Sequence, residues 1–421
     1  MKVVHVNTFD AQGGASIAAL RLHDALMRNN VESYMLVQDK IGDHANVTRA
    51  VENKLDRFFF SKLRTAREQL QRSKYKKREN IPYSTGGFGL DISKHPLIKE
   101  ADIINLHWIN MGFVSLKTLR KLSKLNKKII WTLHDSWPFT GGCHVRYECD
   151  KYIDKCGNCP TLKSNKNTDL SRRIWSKKQK IFKISDISWV APSIWLAGCA
   201  KNSSLLSNMD IEVIPNTLDV DIFKPIDKLL CREILNIDPE KYIICFGAVN
   251  GTDAKYKGFK YLEEAISILV NSYPELRNKL EILVFGASNG NYSSDLKGVI
   301  RFMGRLHDNY TLAIVYNAAN VFVGPSLEES FGQTFSESMA CGTCAVAFNQ
   351  KGPVDIIDHK ENGYLAKFLD SDDLANGIYW CLTNNNNNVL GMNARKKVIR
   401  EYSYDVIAKK YIELYKVISN G

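Results

Sequence analysis

Short apolar runs alternating with amphipathic stretches of helical length, twice over in one chain, constrain this sequence more than any other feature. The first series opens with KVVHVNTF, the turn AQGG, and helical spacing of Ile17, Leu20, Leu22 and Leu26. It continues through YMLVQD, ADIINLHW, KKIIWTLHD, ISWVAPS and IEVIPN, with LKTLRKLSKL and WLAGCAKNSSLL as helices between them. Such runs suit parallel strands covered on both faces. After the Pro- and Asp-rich PNTLDVDIFKPIDK the alternation restarts in YIICFGAV, FKYLEEAISILVNSY, LEILVFGAS, GVIRFMG, VFVGPS and CAVAFN. The predicted fold is α/β, with two doubly wound, Rossmann-like domains whose sheet ends face a central cleft suited to a ligand. The predicted boundaries are 1–215 for the first domain, 216–240 for an interdomain linker and 241–400 for the second domain. Residues 401–421 are predicted as a terminal helix that returns to the first domain.

The composition agrees with this division. With 421 residues and 44% hydrophobic content, the chain exceeds the roughly 250–300 residues at which single cores stop growing. No apolar run reaches the roughly 18 residues of a membrane span, and no signal-peptide stretch follows the first lysine, so a cytoplasmic protein is expected. The net charge of +12 calls for an acidic partner. Much of the excess sits in residues 54–78, where ten Lys or Arg stand against Asp56 and Glu68. Leu55, Phe58, Phe59, Leu63 and Leu70 recur there at near-helical spacing. Two readings fit: a basic amphipathic helix on an anionic membrane surface, and a solvated helix packed on its own domain. No aromatic stacking platform or nucleic-acid motif accompanies the basic residues, so no nucleic-acid partner is expected.

The segment PSLEESFGQTFSESMACG, residues 325–342, carries the chemistry. A strand ends near Pro325, Glu329 stands in the following loop, and Glu337 lies about two turns into a helix that opens near Ser330, Phe331 and Gly332. The free N–H groups of such an opening favour a phosphate, and a carboxylate further along can accept hydrogen bonds from ribose hydroxyls. Standing alone, the two glutamates read as a helix cap, Glu329, and a solvated carboxylate, Glu337.

This segment resembles the Glu-x7-Glu motif of family 4 glycosyltransferases, which are retaining enzymes of the GT-B fold. Further blocks in the same order are similar to that family: the glycine turn at Gly13 and Gly14, His134 in WTLHDSW, Pro215 and Asn216, Lys257 and Gly258, Gly304 and Arg305, and Gly363. NTFDAQGGAS, LHWIN and TLHDSWPFTGGCH look most like the enzymes that build colanic acid, O-antigens and capsules. The resemblance implies retaining transfer from a UDP- or GDP-sugar to a saccharide acceptor linked to a lipid diphosphate, with no catalytic metal. It gives catalytic roles to His134, Glu329 and Lys257. Donor contacts fall to Gly13, Gly14, Asn216, Lys257, Arg305, Ser330, Phe331, Gly332 and Glu337. Glu329 would hold sugar hydroxyls, Glu337 the ribose, and Lys257 with the helix opening the diphosphate. An arginine that the family carries after the strand YIICFGAV is replaced here by Ala248 and Val249, which leaves Lys255 or Arg305 as substitutes. Ser330 replaces the usual glycine and Cys344 the usual proline.

Two other patterns compete for attention. Asp219-Val220-Asp221 reproduces the Asp-x-Asp with which GT-A enzymes hold a divalent cation, but three residues make a weak motif. Cys143, Cys149, Cys156 and Cys159 suit a structural zinc site, the last two as Cys-x2-Cys, and His144 could replace one thiolate. Two disulfides and four unliganded thiols are the alternatives. Two further functions are weighed beside transfer: an epimerase acting on the free nucleotide sugar, and a nucleic-acid-binding protein.

Overall fold

The computed structural model of the protein describes residues 1–75, 78, 81–247, 254–293, 296 and 298–420. The chain divides into two compact units, Met1–Thr217 with Ile407–Gly421, and Leu218–Val406.

The first unit contains β1 (Lys2–Phe9), β2 (Glu32–Asp39), β3 (Val47–Arg49), β4 (Ile103–Leu106), β5 (Lys128–Thr132), β6 (Ile187–Ala191) and β7 (Ile211–Val213). They form one parallel sheet in the order β3-β2-β1-β4-β5-β6-β7. Helices cover the sheet, so every residue of β4 is buried and the strand reads as an unbroken apolar run apart from Asn105. Behind β5 and β6, Trp131 stacks on Trp189 at 5.3 Å and meets Phe182 edge-on. The terminal helix Tyr404–Asn420 supplies Tyr411 and Tyr415, both buried in this unit. Tyr411 shares a 3.1 Å hydrogen bond with Thr132, and Asn105 donates to Tyr415 Oη at 3.4 Å.

The second unit contains β8 (Tyr242–Gly247), β9 (Leu280–Phe285), β10 (Ile300–Gly304), β11 (Val321–Gly324), β12 (Cys344–Phe348) and β13 (Gly363–Ala366), parallel in the order β10-β9-β8-β11-β12-β13. The strand order reverses between β8 and β11, as it does between β1 and β4 in the first sheet. Loops leaving the carboxyl ends of strands at such a reversal splay apart, and the space between them is where this class of sheet binds ligands.

The predicted linker 216–240 is not a linker. From Leu218 onward it is folded into the second unit, where Leu218, Phe223, Cys231 and Ile237 join the core and Lys228–Ile234 is helical. Its prolines and aspartates punctuate turns, while its scattered apolar residues find a core. Asp219 illustrates this: its Oδ1 accepts from the Asp221 backbone at 2.9 Å, so the Asp-x-Asp spacing is that of a local turn.

Among the described residues no helix is long and apolar enough to cross a membrane. The basic segment forms the helix Lys54–Arg72, capped by Asn53. Glu68 accepts from the Thr85 amide at 2.5 Å and Arg72 donates to Tyr83 O at 3.1 Å, which ties one side of the helix to the loop at 83–85. Leu55, Leu63 and Leu70 are exposed. Lys76, Lys77 and the side chains of Phe58 and Phe59 lie outside the described residues.

Candidate active site

In the second unit the strand reversal places the turn Lys255–Lys257, ahead of the helix Phe259–Ser272, beside the loop after β11. Gly258 makes this approach possible. Its φ is +71°, and a Cβ there would lie 1.9 Å from Pro325 O, so only glycine fits against the loop. The Leu327 amide donates to Tyr256 O at 2.7 Å and fixes the two segments together. Lys257 Nζ then meets Glu329 Oε2 at 2.5 Å, with both side chains about one-fifth exposed. Burial alone would lower the Lys257 pKa, but the Glu329 carboxylate, aided by Tyr256, turns the net shift upward, so the ammonium stays charged.

The helix carrying Glu337 begins at Gln333, after Gly332 in left-handed geometry, and it has no side-chain cap. The helix Phe259–Ser272 likewise lacks one. Two helix starts without side-chain caps therefore follow the two segments that the Lys257–Glu329 contact joins, an arrangement that favours an anion. Glu337 is buried and accepts from Tyr316 Oη at 2.9 Å. Tyr316 was not expected at the site. It lies buried in the helix Asn309–Ala318. Lys351 was also missed. It is buried with φ +68° and donates to Leu327 O, bracing the same loop.

The remaining predicted donor residues divide. Ser330 is half-buried in the loop, whereas the Phe331 side chain is core, edge-on to Tyr402 at 5.5 Å, so it can offer a ligand only its backbone. Arg305 is exposed just beyond β10, and Lys255 is exposed in its turn. Ala248 and Val249 lie outside the described residues.

In the first unit the reversal brings together the turn after β1 and the loops after β4 and β5. Gly13, at φ +84°, leads into the helix Gly14–Arg28, and a Cβ on it would meet only open space. Asp10 holds this turn by accepting from the amides of Ala11, Ile41 and Gly42 at 2.8 to 2.9 Å. His134, just past β5, shares a small pocket with Asn216, Pro215, Thr217 and His107. Burial lowers its pKa to about 4, so it is neutral at physiological pH.

His144 is not available to a metal. Its Nδ1 pairs with Asp135 Oδ2 at 2.6 Å and its Nε2 with Ser84 Oγ at 2.9 Å, while Trp108 Nε1 donates to the same Asp135 oxygen. Cys143, Cys149, Cys156 and Cys159 do line one cavity, and burial raises all four thiol pKa values, Cys156 to about 12 and Cys159 to about 11. As placed, no group of three or more His, Cys, Asp or Glu among the described residues is set to hold a metal ion.

Buried neutral histidines make stability depend on acid. His23 is fully buried with its pKa lowered to about 4, and His5 and His107 shift the same way, in each case first by burial. Stability is intact above the unfolded value near 6.5 and falls with pH down to the folded value. His23 alone should cost about 2 kcal/mol at pH 5 relative to pH 7.5. Urea titrations at the two pH values should show the midpoint falling at pH 5; an unchanged midpoint would contradict the neutral assignment.

The chain is similar to known glycosyltransferases. Residues 240–384 match the family profile described as "Glycosyl transferases group 1". The matched region lies wholly inside the second unit. An uncharacterized glycosyltransferase of Haemophilus influenzae is 28% identical over 349 residues, covering 80% of this chain and 83% of that protein. D-inositol 3-phosphate glycosyltransferase 2 of Catenulispora acidiphila is 30% identical over 173 residues, 38% of this chain but only 40% of its own length. Sucrose-phosphate synthase from Thermosynechococcus elongatus superposes with a TM-score of 0.67 at 18% identity, over 99% of both chains. Anabaena HepE, solved in complex with UDP-glucose, gives 0.65 at 15% identity over 99% of this chain and 100% of its own. Both units thus have the parallel-sheet, Rossmann-like fold of GT-B structures.

Proposed function

We propose that this protein is a retaining glycosyltransferase of family 4, transferring a sugar from a nucleotide-diphosphate sugar to a saccharide acceptor in bacterial surface polysaccharide synthesis. The acceptor is linked to a lipid diphosphate, and transfer needs no metal. The observation that carries this reading is the Lys257–Glu329 pair, set beside two helix starts at the strand reversal of the second sheet. Lys257 and the amides of the helix starts neutralise the leaving diphosphate. Glu329 holds hydroxyls of the donor sugar as positive charge develops at its anomeric carbon, and Glu337 accepts from the ribose. His134 and Asn216, in the pocket of the first unit, contact sugar. HepE was solved with UDP-glucose, which favours a uridine nucleotide as the first donor to test.

A thermal-shift panel of UDP, GDP and their sugars tests the reading. A true donor at 100 times its dissociation constant adds about 2.7 kcal/mol. No shift with any of them would remove the donor-site assignment. Persistence of transfer in a chelator, and a product that keeps the donor's anomeric configuration, are the expected companions.

The exposed Leu55, Leu63 and Leu70 on a basic helix support peripheral binding to an anionic membrane, where a lipid-linked acceptor resides. Each basic residue near such a surface contributes about 1 kcal/mol, screened by salt. Co-sedimentation with anionic liposomes at low salt should be lost when Lys74, Lys76, Lys77 and Arg78 are neutralised. Equal binding to neutral liposomes would defeat the proposal. For the cysteine cavity, a structural zinc drawing the four thiolates together is proposed. Elemental analysis should find one zinc per chain, and metal-free protein prepared without chelator would exclude it.

A further inference from the structure

Three histidines, one in β1 and two just beyond β4 and β5, form a continuous hydrogen-bonded chain. His5, in β1, shares a 2.9 Å contact between its Nδ1 and His107 Nε2, and His107 Nδ1 meets His134 Nε2, also at 2.9 Å. His107 follows β4 and His134 follows β5, so the parallel order β1-β4-β5 is what lines up the rings. His5 and His107 are buried, whereas His134 is half-buried and lines the pocket with Asn216.

A neutral imidazole has one N–H and one bare nitrogen, so each bond in the chain fixes the tautomer of the next ring. Only two arrangements satisfy both contacts. In one, protons point inward: His134 donates through Nε2, His107 through Nε2, and His5 is left with an N–H at its own Nε2. In the other, protons point outward: His5 donates through Nδ1, His107 through Nδ1, and His134 keeps its N–H at Nδ1. The inner end decides between them, because His5 Nε2 is buried and meets no hydrogen-bond partner. His23, whose ring lies 6.0 Å from that of His5, is already engaged with Ser33 and the Ala45 carbonyl. A buried N–H with no acceptor is rarer in folded proteins than an under-satisfied acceptor. The outward arrangement leaves only a bare nitrogen there.

We infer that His5 and His107 are positioning residues that hold His134 as the Nδ1–H tautomer, so that it presents a hydrogen-bond donor, not a base, to an oxygen of its ligand. The tautomer follows from the chain of rings alone. That the oxygen belongs to a sugar rests on the proposed function. Fixing the donor in advance spares a ligand the cost of selecting one tautomer from a mixture.

Long-range proton–nitrogen NMR of the full-length protein labelled with 15N-histidine reads the tautomer directly, with His134 assigned by loss of its signals in His134→Gln. The expected result is a pyrrole-like Nδ1 and a pyridine-like Nε2 for His134 in the unliganded parent. The reverse pattern would overturn the inference whatever the protein's activity. In His5→Asp a carboxylate oxygen takes the place of His5 Nδ1 and accepts from His107 Nε2, which reverses the chain, so His134 should shift toward Nε2–H. An unchanged His134 spectrum in that folded variant would show that His5 does not control it. If a sugar-transfer assay is established, kcat/KM should fall in His5→Asp although the substituted side chain is remote from the pocket. The NMR result stands even if no transfer is found, which separates failure of this inference from failure of the proposed function.

Discussion

Lys257→Ala is expected to reduce sugar transfer by about 10²- to 10³-fold, the usual effect of removing one preorganised group that stabilises developing charge. Lys257 meets Glu329 at 2.5 Å, so the two charges hold one another in place. On the proposed function, a diphosphate would share or take over the ammonium and so release Glu329 toward the sugar. This pairing sets the expectation for Glu329→Gln. Removing the carboxylate frees Lys257, so the variant should bind bare nucleoside diphosphate at least as tightly as the parent while transferring poorly. Lys257→Arg keeps the charge but carries a broad planar fork in place of a compact ammonium, and should recover only part of the loss. Calorimetric titration with the nucleoside diphosphate, run beside a transfer assay on each variant, separates binding from chemistry. Parental kcat/KM in Lys257→Ala would remove this lysine from the site.

The features that the sequence revealed are those set by short-range pattern. The apolar runs gave the strands because both sheets are covered on both faces, and Glu329 and Glu337 were visible because loop and helix follow one another directly. The contact between Lys257 and Glu329 joins residues 72 positions apart and depends on the adjacency of β8 and β11, which no local spacing encodes. Tyr316 and Lys351 escaped for a related reason. One is an aromatic residue on an apolar helix face, the other an isolated lysine, and only the folded loop gives either a role. In 216–240 the prolines and aspartates of its turns masked the core residues between them. The three-histidine chain lay hidden because His5 and His107 read as parts of strands, and their alignment with His134 follows only from strand order.

Glu337→Ala should weaken nucleoside diphosphate binding by about 10- to 150-fold, the value of a charged hydrogen bond of about 1.5–3 kcal/mol. The structure adds a second cost. Glu337 is buried and accepts from Tyr316 Oη at 2.9 Å, so the alanine leaves that hydroxyl without its partner in the core. An unsatisfied buried group costs about 1–3 kcal/mol, which should appear as a lower melting temperature in the absence of ligand. Weak binding by this variant alone could therefore report a disturbed core. Tyr316→Phe separates the two effects, because it removes the same internal hydrogen bond and leaves the carboxylate. If Glu337 binds the ribose, Tyr316→Phe should lose stability while its nucleotide affinity changes by less than about 10-fold, below the range set by a charged hydrogen bond. Glu337→Gln, which can still accept from Tyr316, should keep stability and lose affinity. Parental affinity in both Glu337 variants would mean that the carboxylate serves only Tyr316 and that the ribose is bound elsewhere.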